Sequence, residues 1–158
     1  ILSVLVTDLI MHKKEDFLIK NPETNQEIED YYHFRWKMLR EPWNMSKESS
    51  VDEHENNGFH LIAINEKKEI VGSGRIHKVT TDKYQIRYMA VREDLHRSGI
   101  GSEIVRKLEE EAKRQGSRVI VLNARENAIA FYKSLDYVIG DSYESDTGIP
   151  HKTMSKVI

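Results

Sequence analysis

The segment Ile86-Arg87-Tyr88-Met89-Ala90-Val91 has the character of a strand, and after five intervening residues Arg97-Ser98-Gly99-Ile100-Gly101-Ser102 opens a long amphipathic helix. A strand that enters a helix through a glycine turn, and is followed by another apolar strand, commits the chain to a crossover and so to a parallel strand pair. The turn and first-turn N–H groups have no partners inside the helix, and the helix dipole adds positive potential. The junction therefore suits a phosphate or diphosphate. Two glycines by themselves also suit an ordinary tight turn.

The neighbouring segments supply the rest of a sheet. Residues 102–115 place Ile104, Val105, Leu108 and Ala112 on one helical face, with Gly116 as the stop. Glu103 with Lys107, Glu109 with Lys113 and Glu110 with Arg114 are i,i+4 pairs that mark a solvated face. Arg118-Val119-Ile120-Val121-Leu122 reads as a buried parallel strand, residues 127–135 as a second helix, and Tyr137-Val138-Ile139 and 152–158 as closing strands. Upstream, Ile28, Tyr31, Tyr32, Met38 and Leu39 recur at helical spacing over 26–40, and Glu41-Pro42 ends the segment. Arg35 interrupts that stripe, either as an ion-paired or snorkelling arginine or as one aimed into a ligand cleft. Residues 43–58 lack a period and read as a mobile loop or short irregular helix. Phe59-His60-Leu61-Ile62-Ala63-Ile64 and 70–76 form a hairpin, and 84–91 a third strand. The expected fold is α/β (α+β), a mixed sheet with helices on its faces.

Composition narrows the function classes. With 158 residues the chain suits one domain, read as 15–158 with residues 1–14 an extension of uncertain order. The 24 basic and 26 acidic residues nearly cancel, so no general attraction to nucleic acid or an anionic membrane is expected, and any anion site must be local. The absence of cysteine excludes disulfides, thiolate zinc sites and cysteine nucleophiles, and fits a cytoplasmic location. The apolar opening, interrupted by Asp8, is far shorter than the roughly 20 residues that span a bilayer, and it lacks a basic leader. The seven histidines include no His-x-x-x-His pair beside a carboxylate, so no metal is expected. A P-loop would need Lys-Ser/Thr after Gly101, and there is no G-x-G-x-x-G run.

The order strand, glycine turn, helix, strand, then Asn127-Ala128-Ile129-Ala130-Phe131-Tyr132-Lys133-Ser134-Leu135-Asp136-Tyr137 resembles the GCN5-related N-acetyltransferase (GNAT) superfamily. The likeness is densest over 84–140. The family signature is Arg or Gln, two residues, Gly, one residue, then Gly or Ala. Here His96-Arg97-Ser98-Gly99-Ile100-Gly101 puts histidine at its first position. The resemblance implies a mostly antiparallel sheet with helices on both faces and a splayed parallel pair. It further implies acetyl-CoA as co-substrate, its diphosphate on the backbone of Arg97, Ser98, Gly99, Ile100, Gly101 and Ser102. The pantetheine arm would bond like an added strand along Met89, Ala90 and Val91, with backbone bonds at Met89 and Val91. Asn127 would contact that arm or cap the following helix.

Tyr132 falls on the family's tyrosine near the acyl-donor sulfur and is the expected catalytic acid, although an aromatic pair Phe131-Tyr132 also suits a core. A phenol of pKa about 10 stays protonated at neutral pH and can donate to a thiolate. Gln85 occupies the position where some members carry a glutamate base, and Glu53, Glu55, His60 and His151 are the other candidates for that role. The resemblance implies acetyl transfer to a small-molecule or peptide amine, with a homodimer as an admissible assembly. The alternative is a non-catalytic module that binds or senses acyl-CoA. Arg35, Arg75, Arg87 and His151 are acceptor-site candidates, the arginines hinting at an acceptor with negative charge.

Overall fold

In the computed structural model, which describes residues 16–158, seven strands form one sheet in the order β1-β2-β3-β4-β5-β7-β6. The strands are β1 (Leu18–Lys20), β2 (Phe59–Ile64), β3 (Ile70–Lys78), β4 (Lys83–Val91), β5 (Val119–Arg125), β6 (Val138–Glu144) and β7 (Pro150–Val157). Every neighbouring pair is antiparallel except β4 and β5, which are parallel. The expected mixed, mostly antiparallel sheet with one parallel pair is therefore what forms. The strand β1 had no place in the sequence reading, and the extension assigned to 1–14 lies outside the described residues.

Helix α1 (Asn25–Leu39) begins in a capping box. The Glu27 N–H donates to the Thr24 hydroxyl, and the Thr24 N–H to the Glu27 carboxylate, at 3.0 and 3.1 Å. Helix α2 (Ile100–Arg114) starts two residues earlier than its apolar period suggests, because Gly99 turns the chain directly into it. Its end is stopped by two paired bonds, from the Gly116 N–H to Lys113 O and from the Ser117 N–H to Ala112 O. The segment expected as one helix at 127–135 is a 3₁₀ turn, Glu126–Ala128, running into α3 (Ile129–Ser134).

The two helical layers lie on opposite faces of the sheet. Alternation along β2 sends Leu61 and Ala63 into the core beneath α2 and α3, while Ile62 and Ile64 pack with Tyr31 of α1. Tyr137 ties α3's side of the core to α2 through a 2.7 Å bond from its hydroxyl to Glu109, which Lys156 also contacts at 3.0 Å. Glu109 is thus engaged by the core rather than by Lys113. Of the other expected surface pairs, Glu103 meets Lys107 at 4.0 Å, whereas Arg114 turns to Glu111.

Residues 43–58 fold into 3₁₀ turns and bends held down by carboxylates. Glu55 receives both terminal nitrogens of Arg35, at 2.8 and 2.9 Å, and Asp52 receives both from Arg75, at 2.6 and 2.9 Å. A further 2.9 Å bond joins Arg75 to Glu55. Both guanidinium side chains are fully buried. Burial alone would raise the two carboxyl groups, but the arginine hydrogen bonds outweigh it and hold both below the ordinary carboxylate range. Their folded-state pKa values are depressed, so their contribution is complete above the ordinary values of 3.8 and 4.5 and fades as pH falls through the folded values. Replacing Glu55 with Gln leaves two buried cations short of a counter-charge and should cost about 3–5 kcal/mol in urea unfolding at pH 7. The deficit should narrow as pH is lowered below about 4, and a loss under about 1 kcal/mol at pH 7 would show that the staple is not structural.

Candidate active site

The parallel pairing of β4 and β5 lasts for three positions, Lys83↔Val119, Tyr84↔Ile120 and Gln85↔Val121, and then stops. From there β5 continues against β7 as far as Arg125↔His151, while β4 stays with β3. The register between β3 and β4 slips between Ser73 and Arg75, with Ser73 opposite Ala90 and Arg75 opposite Arg87. This bulge holds Tyr88 at φ 58°, a left-handed conformation that a bulky residue keeps only where its surroundings fix it. Ala90 pairs with Ser73 and the Arg92 N–H donates to Val71 O at 2.8 Å. By the alternation of an antiparallel ladder, the polar groups of Val91 between them face away from β3. The parting of the strands leaves a cleft of about 1160 Å³.

At one mouth of the cleft stands the turn into α2. Arg97 and Gly99 have φ of 67° and 91° on either side of Ser98, a sequence of backbone signs that turns successive N–H groups toward one point. The first N–H engaged inside the helix is that of Glu103, on Gly99 O at 3.0 Å, so those of Ile100, Gly101 and Ser102 are free to bond a ligand. Arg97, Gly99, Gly101 and Ser102 line the cleft; Ser98 and Ile100 do not. The Ser98 N–H bonds Leu95 O, and Ile100 is 3% exposed, anchoring the turn in the core. A β-carbon on Gly101 would lie 3.2 Å from the Phe131 ring, so the bare backbone is what lets α2 approach α3. His96, the departure from the family signature, ties this turn to β4 by a 2.9 Å bond from Nε2 to Val91 O. Val91 therefore keeps its N–H, and not its carbonyl, for another partner.

Met89, Ala90 and Val91 of β4 line the cleft together with Asn127 and Tyr132. Ala128 occupies the N-cap position of α3 with no side-chain cap, so the capping role considered for Asn127 is not used. Asn127 is exposed and lines the cleft instead. Tyr132 packs its ring against Phe131 and Tyr137, at 4.9 and 5.7 Å between centroids, and is 7% exposed. Burial pushes its phenol up, so it is held protonated. Core and cleft readings of this residue coexist: its ring is packed and its side chain lines the cavity.

The base candidates separate by their partners. Glu55 is held by Arg35 and Arg75. His60 accepts from the Tyr31 hydroxyl at 2.7 Å on Nδ1 and donates to Glu55 O at 2.8 Å from Nε2, leaving no free lone pair. Glu53 lines the cleft but its side chain is 81% exposed, beside His54 at 3.4 Å. Gln85 lines the cleft as an amide. His151 also lines it and donates from Nδ1 to Ile149 O at 2.7 Å, which leaves Nε2 as an open lone pair.

On the α1 face the bulged Tyr88 ring is surrounded by guanidinium groups, with the Cζ atoms of Arg35, Arg87, Arg75 and Arg40 at 3.7, 4.8, 5.0 and 5.7 Å from its centroid. Arg87 lines the cleft and reaches Asp52 at 2.8 Å; Arg35 and Arg75 lie behind it and do not reach the cavity. His77 accepts from Arg75 at 3.0 Å and stacks on cleft-lining His54 at 4.0 Å. Burial and the neighbouring arginine push its imidazole down to about 4, so it is neutral. Sequence reasoning missed Asp52, His54, His77, Arg40 and Arg125, all of which line the cleft; no periodicity or motif marks them. Among the described residues no group of three or more His, Asp and Glu side chains is arranged to hold a metal. No described helix is long and apolar enough to cross a membrane.

Residues 28–137 match the acetyltransferase (GNAT) family. An uncharacterized N-acetyltransferase, YjcF, of Bacillus subtilis (strain 168) is 29% identical over 136 residues, covering 85% of this chain and 95% of that protein. An aminoglycoside 6'-N-acetyltransferase crystallised with coenzyme A superposes with a TM-score of 0.73 at 15% identity, over 89% of this chain and 96% of that one. A GNAT family acetyltransferase from Elizabethkingia anophelis with acetyl-CoA bound gives 0.72 at 17% identity, over 92% and 100%.

The turn at Gly99 yields a direct expectation. Gly99→Ala forces a β-carbon into a left-handed conformation with open space around it, so the cost is conformational, about 1 kcal/mol or somewhat more. Thermal unfolding should register that small loss, while calorimetry should show a disproportionate fall in coenzyme A affinity as the N–H groups are re-aimed. Unchanged affinity would mean that this turn does not hold the diphosphate.

Proposed function

Because the chain belongs to the acetyltransferase (GNAT) family, we propose that it moves an acetyl group from acetyl-CoA to a primary amine by direct attack within a ternary complex. The observation that carries this reading is one continuous cleft joining three things: an N–H cradle at the start of α2, a strand edge left open by β5, and a buried phenol on α3. When bound, acetyl-CoA supplies the activated acetyl thioester. The free N–H groups of Gly101 and Ser102 would hold its diphosphate at the positive end of the α2 dipole. Arg97 would add charge at the same mouth. The unpaired edge of β4 would bond the pantetheine arm as a short added strand, with the Val91 N–H and the Met89 backbone as its contacts and Asn127 bonding from the opposite wall.

The chemistry then needs two proton positions. As the amine nitrogen bonds to the thioester carbonyl carbon and the carbon–sulfur bond breaks, Tyr132 donates its phenolic proton to the departing sulfur. Its burial keeps that proton in place at neutral pH. A strand N–H at Met89 or Val91 stabilises the developing oxyanion. The amine must arrive neutral and lose a second proton after attack. His151 is the base in this reading, because its Nδ1 is fixed on Ile149 O and its Nε2 is open. No covalent enzyme intermediate is required.

Tyr132→Phe should lower kcat by roughly 10² to 10⁴ while leaving the acetyl-CoA dissociation constant essentially unchanged. Equal turnover by the variant with a verified acceptor would remove Tyr132 from the mechanism. The His151 role is tested in the same way: His151→Gln should lower kcat roughly 10²-fold or more while leaving the acetyl-CoA dissociation constant essentially unchanged. A variant with undiminished turnover would assign the base elsewhere.

A further inference from the structure

Two guanidinium groups in this cleft lack an ion-pair partner among the described residues. Arg40, at the end of α1, is 8% exposed, and its bonds go to backbone carbonyls: Ser49 O at 3.1 Å and Leu39 O at 3.1 Å. Arg125, the last residue of β5, donates to the same Leu39 carbonyl at 3.4 Å. Two cations thus share one neutral acceptor. Neither has a carboxylate within ion-pair distance among the described residues, in contrast to Arg35, Arg75 and Arg87. Both line the cleft, with Arg87 close enough for its charge to act on Arg40. Burial weakens the charged form of each; for Arg40 the charges of Arg87 and Arg125 add to that penalty, while Tyr88 and the more distant, cleft-lining Asp146 offset part of it. A half-buried cation beside other cations, facing a cavity, is stabilised by an anion placed in that cavity.

The position tells which anion. The N–H cradle for a diphosphate belongs to α2, whereas Arg40 and Arg125 meet at α1, which covers the opposite face of the sheet. On the reading of the cleft as an acetyl-transfer site, the cofactor phosphates occupy the α2 mouth and the acceptor enters from the α1 face. We propose that Arg40 and Arg125 form an oxyanion subsite for the acceptor, so that the substrate class is an amine bearing a carboxylate, as in an amino acid. The subsite supplies donors in a planar fork, which suits the two oxygens of a carboxylate, and it supplies them beside the strand ends where acyl transfer takes place.

Matched probes test this: a panel of amino acids and their carboxamides, with phosphoethanolamine, ethanolamine and spermidine as controls. Each is read by thiol release with acetyl-CoA and by thermal shift of the protein saturated with coenzyme A. Wild type should turn over at least one carboxylate amine with lower KM than its amide, and only the carboxylate should raise Tm. Arg125→Gln should raise the carboxylate KM roughly 10- to 100-fold, leave the amide nearly unaffected, and leave coenzyme A affinity unchanged. Arg125→Lys should restore part of the preference, and Arg40→Lys, which keeps the charge, should fall between. Equal response to acid and amide in both readouts overturns the subsite, as does preference for spermidine. Preference for phosphoethanolamine overturns the carboxylate assignment, and a succinyl-CoA preference abolished by Arg125→Gln assigns the pair to the acyl donor instead. Absence of coenzyme A binding by the wild type would tell against the acetyl-transfer reading itself, a result separable from all of these.

Discussion

Backbone N–H and C=O groups inside a sheet must find partners, and beyond Gln85 those of β4 that face β5 have no strand partner, the Val91 carbonyl being taken by His96. In a closed sheet that would be a defect. Here each strand keeps its other neighbour, β5 with β7 over seven positions and β4 with β3, so the gap opens only the two edges that face each other. The exposed edge is short and interior, and it is blunted by the bulge at Tyr88, so it is a poor template for another chain and a good one for an extended ligand. Everything else in the molecule either holds that gap open or furnishes its walls.

The wedge on the α1 side is electrostatic. Asp52 and Glu55 bind three arginines from three different segments, joining α1, the 43–58 loop, β3 and β4 around one aromatic ring. Buried ion clusters of this kind are weak sources of net stability, since desolvation offsets much of the Coulomb gain. Their value is geometric: every member is fixed by several partners, and Tyr88 is fixed among them in a conformation it would not choose alone. The guanidinium count exceeds the carboxylate count around this ring, and the excess faces the cleft. The feature that shapes the wall therefore also sets its charge.

The parts of the fold legible in the sequence were those with a period or a stop signal. The α2 stripe of Ile104, Val105, Leu108 and Ala112, the apolar run at 119–122 and the hairpin at 59–76 all follow from local pattern and burial. β1 escaped because three residues, Leu18–Lys20, carry no period, and their strand state comes from pairing with β2. Arg35 was visible as an interruption, and its ion-paired reading is the one the structure shows, but its partners Ser50 and Glu55 could not be named because they lie in a segment without periodicity. Arg75 and Arg87 face each other across two strands, so their common partner Asp52 is a tertiary fact. The proposed cofactor wall was read from residues next to one another in the chain. Arg40 and Arg125 are far apart in sequence and meet only because α1 ends where β5 ends.

This difference follows from how the two walls recognise their ligands. In the proposed reading the cradle at α2 would work through main-chain N–H groups, so it would need a backbone shape and tolerate varied side chains; His96 bonds Val91 O from the first position of the motif. Such a site leaves a compact trace, a glycine at a positive φ and a helix start, because shape is encoded locally. The α1 face would work through side chains from a helix end, a loop, three strands and the β6–β7 hairpin. No one segment holds it, and substitution at any of those positions alters charge or shape without disturbing the cradle. A chain built this way can hold one donor while changing acceptors, since the two recognition problems are solved on opposite sides of the sheet and joined only through the gap between β4 and β5.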